Sequence, residues 1–128
     1  MATLTKTLTL SSTAGDILSD ALSLSMTKDV TINAGSTMKK FNLATDTNTV
    51  VATAEGQSIV YLKNSTGSAR TITIFTDPDD DGDNDATALI LEILDGEFAL
   101  LPAGLDHALV ARSNSGTGVL EGGVFTKA

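Results

Sequence analysis

The chain has 128 residues, a net charge of −8 and no cysteine, which excludes a disulfide framework, a thiolate nucleophile and a cysteine-ligated zinc site. One domain of this length can bury a hydrophobic core without covalent cross-links. Lysine and arginine are few and scattered, and only Lys39 and Lys40 are adjacent. Direct binding of nucleic acid, which needs a basic patch, is therefore not expected.

The sequence also lacks the marks of secretion and of a membrane span. Residues 1–7 contain no positively charged stretch followed by an apolar core, so they do not predict a signal peptide. Residues 98–105 are apolar but short, and Pro102 and Gly104 interrupt them. Because a span needs about 20 apolar residues, we expect a soluble protein that is made in the cytoplasm.

The first half of the chain predicts strands from alternating polar and apolar residues. Nineteen threonines suit a half-buried pleated surface better than a helix. Residues 3–10 alternate threonine with leucine or lysine, which predicts a strand. Residues 17–26 could begin with a helical turn, but the alternation of leucine, serine and methionine after residue 22 favours a strand. A turn at 33–36 and a short strand at 38–44 follow.

The middle of the chain predicts two strands joined by a tight hairpin. These strands cover residues 49–54 and 57–63, with Glu55 and Gly56 between them. In the second strand Val60 and Leu62 share one face, and Ile59, Tyr61 and Lys63 share the other. A turn at 64–67 then leads to a strand at 70–75, where isoleucine alternates with threonine.

The last third predicts four further strands. Residues 87–94 are apolar on both faces, which predicts a central strand or one that lies under a partner. Asp95-Gly96 favours a hairpin to residues 97–101, because such turns require positive φ, and Pro102 should end that strand. Strands at 108–112 and 119–126 close the chain, joined by a hairpin connection at residues 113–118.

The fold class is therefore predicted to be all-β. About nine or ten short strands with regularly spaced turns are typical of an antiparallel β-sandwich or jelly roll. We expect one β domain over residues 1–128, with residues 1–12 as a candidate N-terminal arm that could exchange between subunits by strand addition.

Recognisable catalytic motifs are missing, so we do not expect an enzyme. The single histidine is His107, and no serine lies in a nucleophile elbow. The glutamates Glu55, Glu92, Glu97 and Glu121 lie mostly near predicted turns, and few aromatic residues are available to stack on a sugar. No phosphate-binding loop is present either.

One segment has specific metal-binding chemistry. Residues 77–85 hold six of the sixteen acidic residues, which leaves ten acidic against eight basic residues elsewhere. Alternating aspartates around Gly82 could converge on a calcium ion. The twelfth position of an EF-hand loop requires glutamate, and Ala88 stands there, so the site would be of another kind. The alternative is a solvated acidic loop. No cofactor is required, calcium is a candidate ligand, and the candidate metal residues are Asp77, Asp79, Asp81, Asp83 and Asp85.

Several residue strings resemble small structural proteins of tailed bacteriophages, notably those of aquatic and cyanobacterial phages. The strings cover residues 59–64, 70–74, 96–102 and 120–127. The resemblance extends over residues 57–127, whereas the acidic segment 77–85 departs from it. Such proteins are usually capsid decoration or cement proteins.

What the resemblance implies is a β-sandwich on the capsid exterior of a virion, made in the host cytoplasm. It would bind the major capsid protein, often as a homotrimer, and stabilise the shell without contacting nucleic acid or membrane. Two alternatives stay open: a tail, neck or fibre-associated β module, and a calcium-dependent carbohydrate-binding or adhesion module.

Overall fold

The structure is a computed structural model that describes residues 1–11, 23–33, 38–53, 56–77, 88–101, 104–105 and 107–128. All the regular structure in these residues is β. The strands are β1 (Ala2–Ser11), β2 (Ser23–Ile32), β3 (Lys39–Leu43), β4 (Thr49–Ala52), β5 (Gly56–Asn64), β6 (Ile72–Asp77), β7 (Ala88–Ile93), β8 (Phe98–Leu101), β9 (Gly104–Leu105), β10 (Ala108–Ser113) and β11 (Gly118–Thr126).

The chain divides into two compact units. The first comprises Met1–Ala34 with Ala128, and the second comprises Gly35–Lys127. The first contains β1 and β2, which pair antiparallel in one unbroken register from Ala2 opposite Ile32 to Ser11 opposite Ser23. The strands predicted at 3–10 and after residue 22 are both present and are longer than predicted. The single-domain boundary stays a prediction, as does the exchange of residues 1–12.

The second unit is a sandwich of two antiparallel sheets. One sheet has the strand order β4-β10-β6-β7, and the other has β3-β11-β5-β8, with β9 also pairing with β5. The predicted antiparallel β-sandwich is confirmed. Its core takes aliphatic side chains from both sheets: Leu43, Val51, Ala52, Val60, Leu62, Ile72, Ile74, Ile93, Leu109, Ala111 and Leu120.

The two sheets have corresponding strand orders. Each strand has the same position in its sheet as a strand next to it in sequence has in the other sheet: β3 corresponds to β4, β11 to β10, β5 to β6 and β8 to β7. Short connections therefore cross from sheet to sheet, and we call them arches. They cover residues 44–48, 65–71, 94–97 and 114–117.

Hydrogen bonds tie these arches to one another at one end of the sandwich. The amide of Ser113 donates to Ala44 O at 2.9 Å, and the amide of Asn114 donates to Thr71 O at 2.9 Å. The amide of Gly67 donates to the Asp95 carboxylate at 2.8 Å. Because four separate connections share these bonds, this end of the sandwich is a continuous polar network.

The predicted hairpins at Glu55-Gly56, Asp95-Gly96 and 113–118 are wrong. In each case the strands before and after the connection lie in opposite sheets. Asp95-Gly96 does form a turn, in which the Glu97 amide donates to Leu94 O at 3.0 Å and Gly96 has φ of 81°. The turn at Asp95-Gly96 was therefore predicted correctly, but its consequence for strand pairing was not. A tight turn can connect strands of two facing sheets as readily as neighbouring strands of one sheet.

Candidate protein-binding surfaces

The predicted calcium ligands are mostly outside the described residues. Asp77 is the last residue of β6, and its side chain is fully buried. Asp79, Asp81, Asp83 and Asp85 lie outside the part of the chain that the structure describes. The calcium site therefore stays a prediction.

His107 and the glutamates in the described residues lie apart from one another in the fold. His107 is exposed immediately before β10, and Glu92 and Glu97 are exposed in β7 and in the following arch. Glu121 forms an ion pair with Lys40 at 3.3 Å. Within the described ranges, no three histidine, aspartate or glutamate residues come together to hold a metal ion.

The outer face of the five-stranded sheet carries an exposed apolar stripe, which we call the aromatic face. Register places Leu100 beside Tyr61 and Tyr61 beside Gly123, with Phe98 beside Lys63. The Phe98 side chain is 63% exposed, and its ring centroid lies 6.4 Å from that of Tyr61. The aromatic face comprises the exposed side chains of Met38, Phe98 and Leu100 and the partly buried rings of Tyr61 and Phe125.

Gly123 keeps this stripe continuous. A Cβ at that position would lie 2.6 Å from the Met38 sulfur and 3.4 Å from the Phe125 ring. The absence of a side chain lets Met38 lie across β11 and contact the same surface as Phe125. Met38 is itself 53% exposed. The stripe therefore runs from the start of β3 across β11 and β5 to β8.

Charged residues border the aromatic face on one side. Glu121 lies opposite Lys40 on β3 and opposite Lys63 on β5, so these three side chains form one row across the sheet. An apolar centre with a polar rim, containing aromatic residues and methionine, is the usual anatomy of a protein–protein interface. A contiguous exposed apolar patch of this kind marks an interaction site.

A second exposed apolar surface lies at β7 and the arch that follows it, which we call the acidic corner. Within the described residues, β7 is an edge strand of its sheet and pairs only with β6. Its exposed apolar residues are Leu89, Ile90 and Leu94, at 58%, 40% and 61%. All the charged residues between 88 and 101 are acidic, namely Glu92, Asp95 and Glu97.

β7 is therefore not the central strand that its composition allowed. Ile93 points into the core and is 2% exposed, whereas residues 88–90 are exposed. The register shifts between Ile74 and Phe75 of β6. Ile74 pairs with Leu91 and Phe75 pairs with Leu89, which leaves Ile90 as the extra residue of a bulge. Such a bulge turns successive side chains outward. The other interpretation of residues 87–94, in which the strand is covered by a binding partner, stays a prediction.

Sequence reasoning found part of the aromatic face. The alternation in β5 correctly placed Tyr61 and Lys63 on the face opposite Val60 and Leu62. It missed Phe98 and Leu100 as surface residues, because all four residues of β8 are apolar and show no polar–apolar alternation. Ala99 and Leu101 pack against the core, so β8 has one inner and one outer apolar face.

Comparison with known proteins supports the fold. No protein-family model matches the chain, and no curated protein matches it. A solved structure from work on Bacillus endospore appendages, described as a novel family of disulfide-linked pili, is similar to this chain. The TM-score is 0.51 with 15% sequence identity, over 77% of this chain and 91% of that one. At this identity the likeness shows a shared β-sandwich architecture, with a structural protein as the neighbour.

No helix among the described residues is long and apolar enough to cross a bilayer.

Proposed function

We propose that this chain is a non-enzymatic structural protein that decorates a bacteriophage capsid and binds the major capsid protein through the aromatic face. The exposed aromatic face is the observation that carries the proposal. Phe98 and Leu100 are 63% and 41% exposed on β8, the last strand in the order of this sheet. The residue strings that resemble phage decoration proteins support the choice of partner.

The energetics of such a surface favour binding over catalysis. Large apolar side chains in water lose the stabilisation of burial, about 25 cal/mol for each Å² left exposed. Aromatic residues near the centre of an interface contribute much of its binding free energy. Phe98 with Tyr61 meets that description, since the two rings already contact each other and the Lys40–Glu121 pair lies at the rim.

A charge in the aromatic face tests this proposal. We expect Phe98→Glu to weaken binding to capsids at least tenfold, because a carboxylate would be desolvated in the interface. Capsids that lack the protein are mixed with purified chain and sedimented, and bound protein is measured against concentration. The wild-type chain should saturate at a fixed ratio to the major capsid protein.

Val50→Glu is the matched control. Val50 is an exposed apolar residue of the opposite sheet, at 37%, and the substitution introduces the same charge. Circular dichroism and thermal melting establish that both variants fold. Equal binding by Phe98→Glu and wild type, or recovery of the protein only with tails, contradicts the proposal.

A second candidate function is a subunit of a self-assembling filament. The structural likeness to a pilus protein favours it. This chain has no cysteine, so such a filament would be held by non-covalent contacts alone. Capsid binding distinguishes the two: saturable binding to capsids, as a homotrimer or otherwise, supports decoration, whereas filaments in electron micrographs of a chain that does not bind capsids support this candidate.

A further inference from the structure

The β1–β2 ribbon has two chemically different faces. Residues directly opposite one another in an antiparallel pair share a face. On one face every residue of both strands is threonine, serine or aspartate. There Thr5 Oγ1 donates to the Asp29 carboxylate at 2.6 Å, and the Thr7 and Thr27 hydroxyls lie 3.2 Å apart. This polar face satisfies part of its hydrogen bonding internally.

The other face is apolar with two positive charges. Leu8 lies opposite Met26 and Leu10 lies opposite Leu24. These four side chains are 48%, 61%, 46% and 40% exposed, respectively. A two-stranded ribbon is only marginally stable in water by itself. An exposed apolar face of this size therefore favours a partner.

The two charges are Lys6 and Lys28, which lie directly opposite each other. Like charges in this position destabilise a strand pair. No acidic residue shares the face, because Asp29 points to the polar side opposite Thr5. A partner that brings carboxylates between apolar contacts would relieve this repulsion.

A second copy offers three apolar surfaces to which the ribbon could bind: its own ribbon, the aromatic face and the acidic corner. A second ribbon would bring four lysines together. The aromatic face is bordered by Lys40 and Lys63, with Glu121 between them. The acidic corner instead combines three exposed apolar side chains with three carboxylates and no basic residue between positions 88 and 101.

We propose that the apolar face of the β1–β2 ribbon of one copy covers the acidic corner of a second copy, with Lys6 and Lys28 meeting Glu92 and Glu97. The bulge at Ile90 interrupts regular pairing along β7 and so disfavours simple strand addition. The contact is therefore between side chains of the two faces. Because the two surfaces differ, the interface is head-to-tail and can extend to further copies.

This inference rests on the proposed structural role but is tested without capsids. Two full-length variants reverse one surface each: K6E/K28E on the ribbon and E92K/E97K on the corner. Sedimentation velocity over a concentration series should show association for wild type. Each variant alone should associate at least tenfold more weakly, because like charges then meet across the interface.

Mixing the two variants gives the decisive result. The reversed ribbon of one variant complements the reversed corner of the other, and their unaltered surfaces complement each other as in wild type. An equimolar mixture should therefore associate again, with the two variants in a 1:1 ratio. The chain with all four reversals should associate with itself again. T9E/S25E, which places two carboxylates opposite each other on the polar face, should associate like wild type.

Three outcomes overturn the inference. A wild type that is monomeric at all concentrations removes the interface between copies. Unchanged association of K6E/K28E indicates another surface, such as the aromatic face. A mixture of the two variants that associates no more strongly than either variant alone removes the pairing of these two surfaces. Loss of capsid binding by Phe98→Glu would leave all three measurements unaffected, so the two proposals fail separately.

Discussion

Asn64 is the residue on which the arch end of the sandwich depends most. Its side chain is fully buried at the end of β5. The Nδ2 group donates to Arg70 O at 2.8 Å and to Ile93 O at 2.9 Å. The Oδ1 atom accepts from the Thr66 amide at 3.1 Å and from the Thr66 hydroxyl at 2.7 Å. One amide group thus joins the arch at 65–71 to the end of β7.

Asn64→Asp should therefore destabilise the fold by about 2–5 kcal/mol. The substitution removes both donors, leaves two carbonyls without them, and places a carboxylate against those carbonyls. Asn42→Asp makes the same chemical change at an exposed position of β3 and should change the free energy of unfolding by less than about 0.5 kcal/mol. Urea unfolding of both variants measures the difference; equal effects would show that the Asn64 bonds contribute little.

At the scale of elements, β7 combines a core strand and a surface strand. Its C-terminal half contributes Ile93 to the core, and the Ile90 bulge turns its N-terminal half outward. The largely apolar composition of residues 88–94, in which Glu92 is the only charged residue, conceals this division. Two of its side chains of similar size should therefore differ sharply in what they contribute to stability.

We expect Ile93→Ala to cost about 2–4 kcal/mol of unfolding free energy, through lost burial and a cavity between the sheets. Leu89→Ala, in the same strand but 58% exposed, should cost less than about 1 kcal/mol. Chemical denaturation at a concentration where the protein is monomeric gives both values. A large effect at Leu89 would mean that its side chain is covered in the isolated chain.

At the scale of the whole molecule, the arches make the two sheets of the second unit fold together. Neither sheet can form from a continuous stretch of chain, since successive strands mostly alternate between them. The core likewise draws residues from both sheets. The ribbon is different, because its pairing is local and most of its residues are exposed.

Hydrogen exchange should reflect this division. Amides of the inner strands β5, β11, β6 and β10 should share one slowest class, since opening either sheet exposes the common core. Amides of the ribbon should exchange faster under conditions where the protein is monomeric. Exchange measured by NMR checks both expectations. A sheet that opens well before the other would contradict the first.

The sequence predicted strands and faces better than it predicted pairing. Alternation identifies which side chains point inward, as with Val60 and Leu62, because burial has the same period as the pleat. Alternation does not indicate which strands form hydrogen bonds with each other. Asp95-Gly96 illustrates this, since a tight turn reverses the chain whether the next strand joins the same sheet or the facing one.

The candidate surfaces were predictable only in part for a related reason. Phe98 and Leu100 look like core residues in the sequence, and β8 becomes an edge strand with one exposed face only through long-range pairing with β5. The charge pattern of the ribbon needed the register that places Lys6 opposite Lys28. Without that register, the sequence shows only two lysines that are 22 positions apart.

The pairing of β5 also sets how the sandwich would respond to mechanical load. Residues 58–64 are bonded to β11 along one edge, and β8 and β9 occupy the other. Tension along β5 must shear both sets of bonds at once, whereas tension on β7 can peel a single interrupted ladder from one end. A subunit fixed to a pressurised shell would therefore yield first at the acidic corner, and a neighbour bound there would raise the force needed to open the fold.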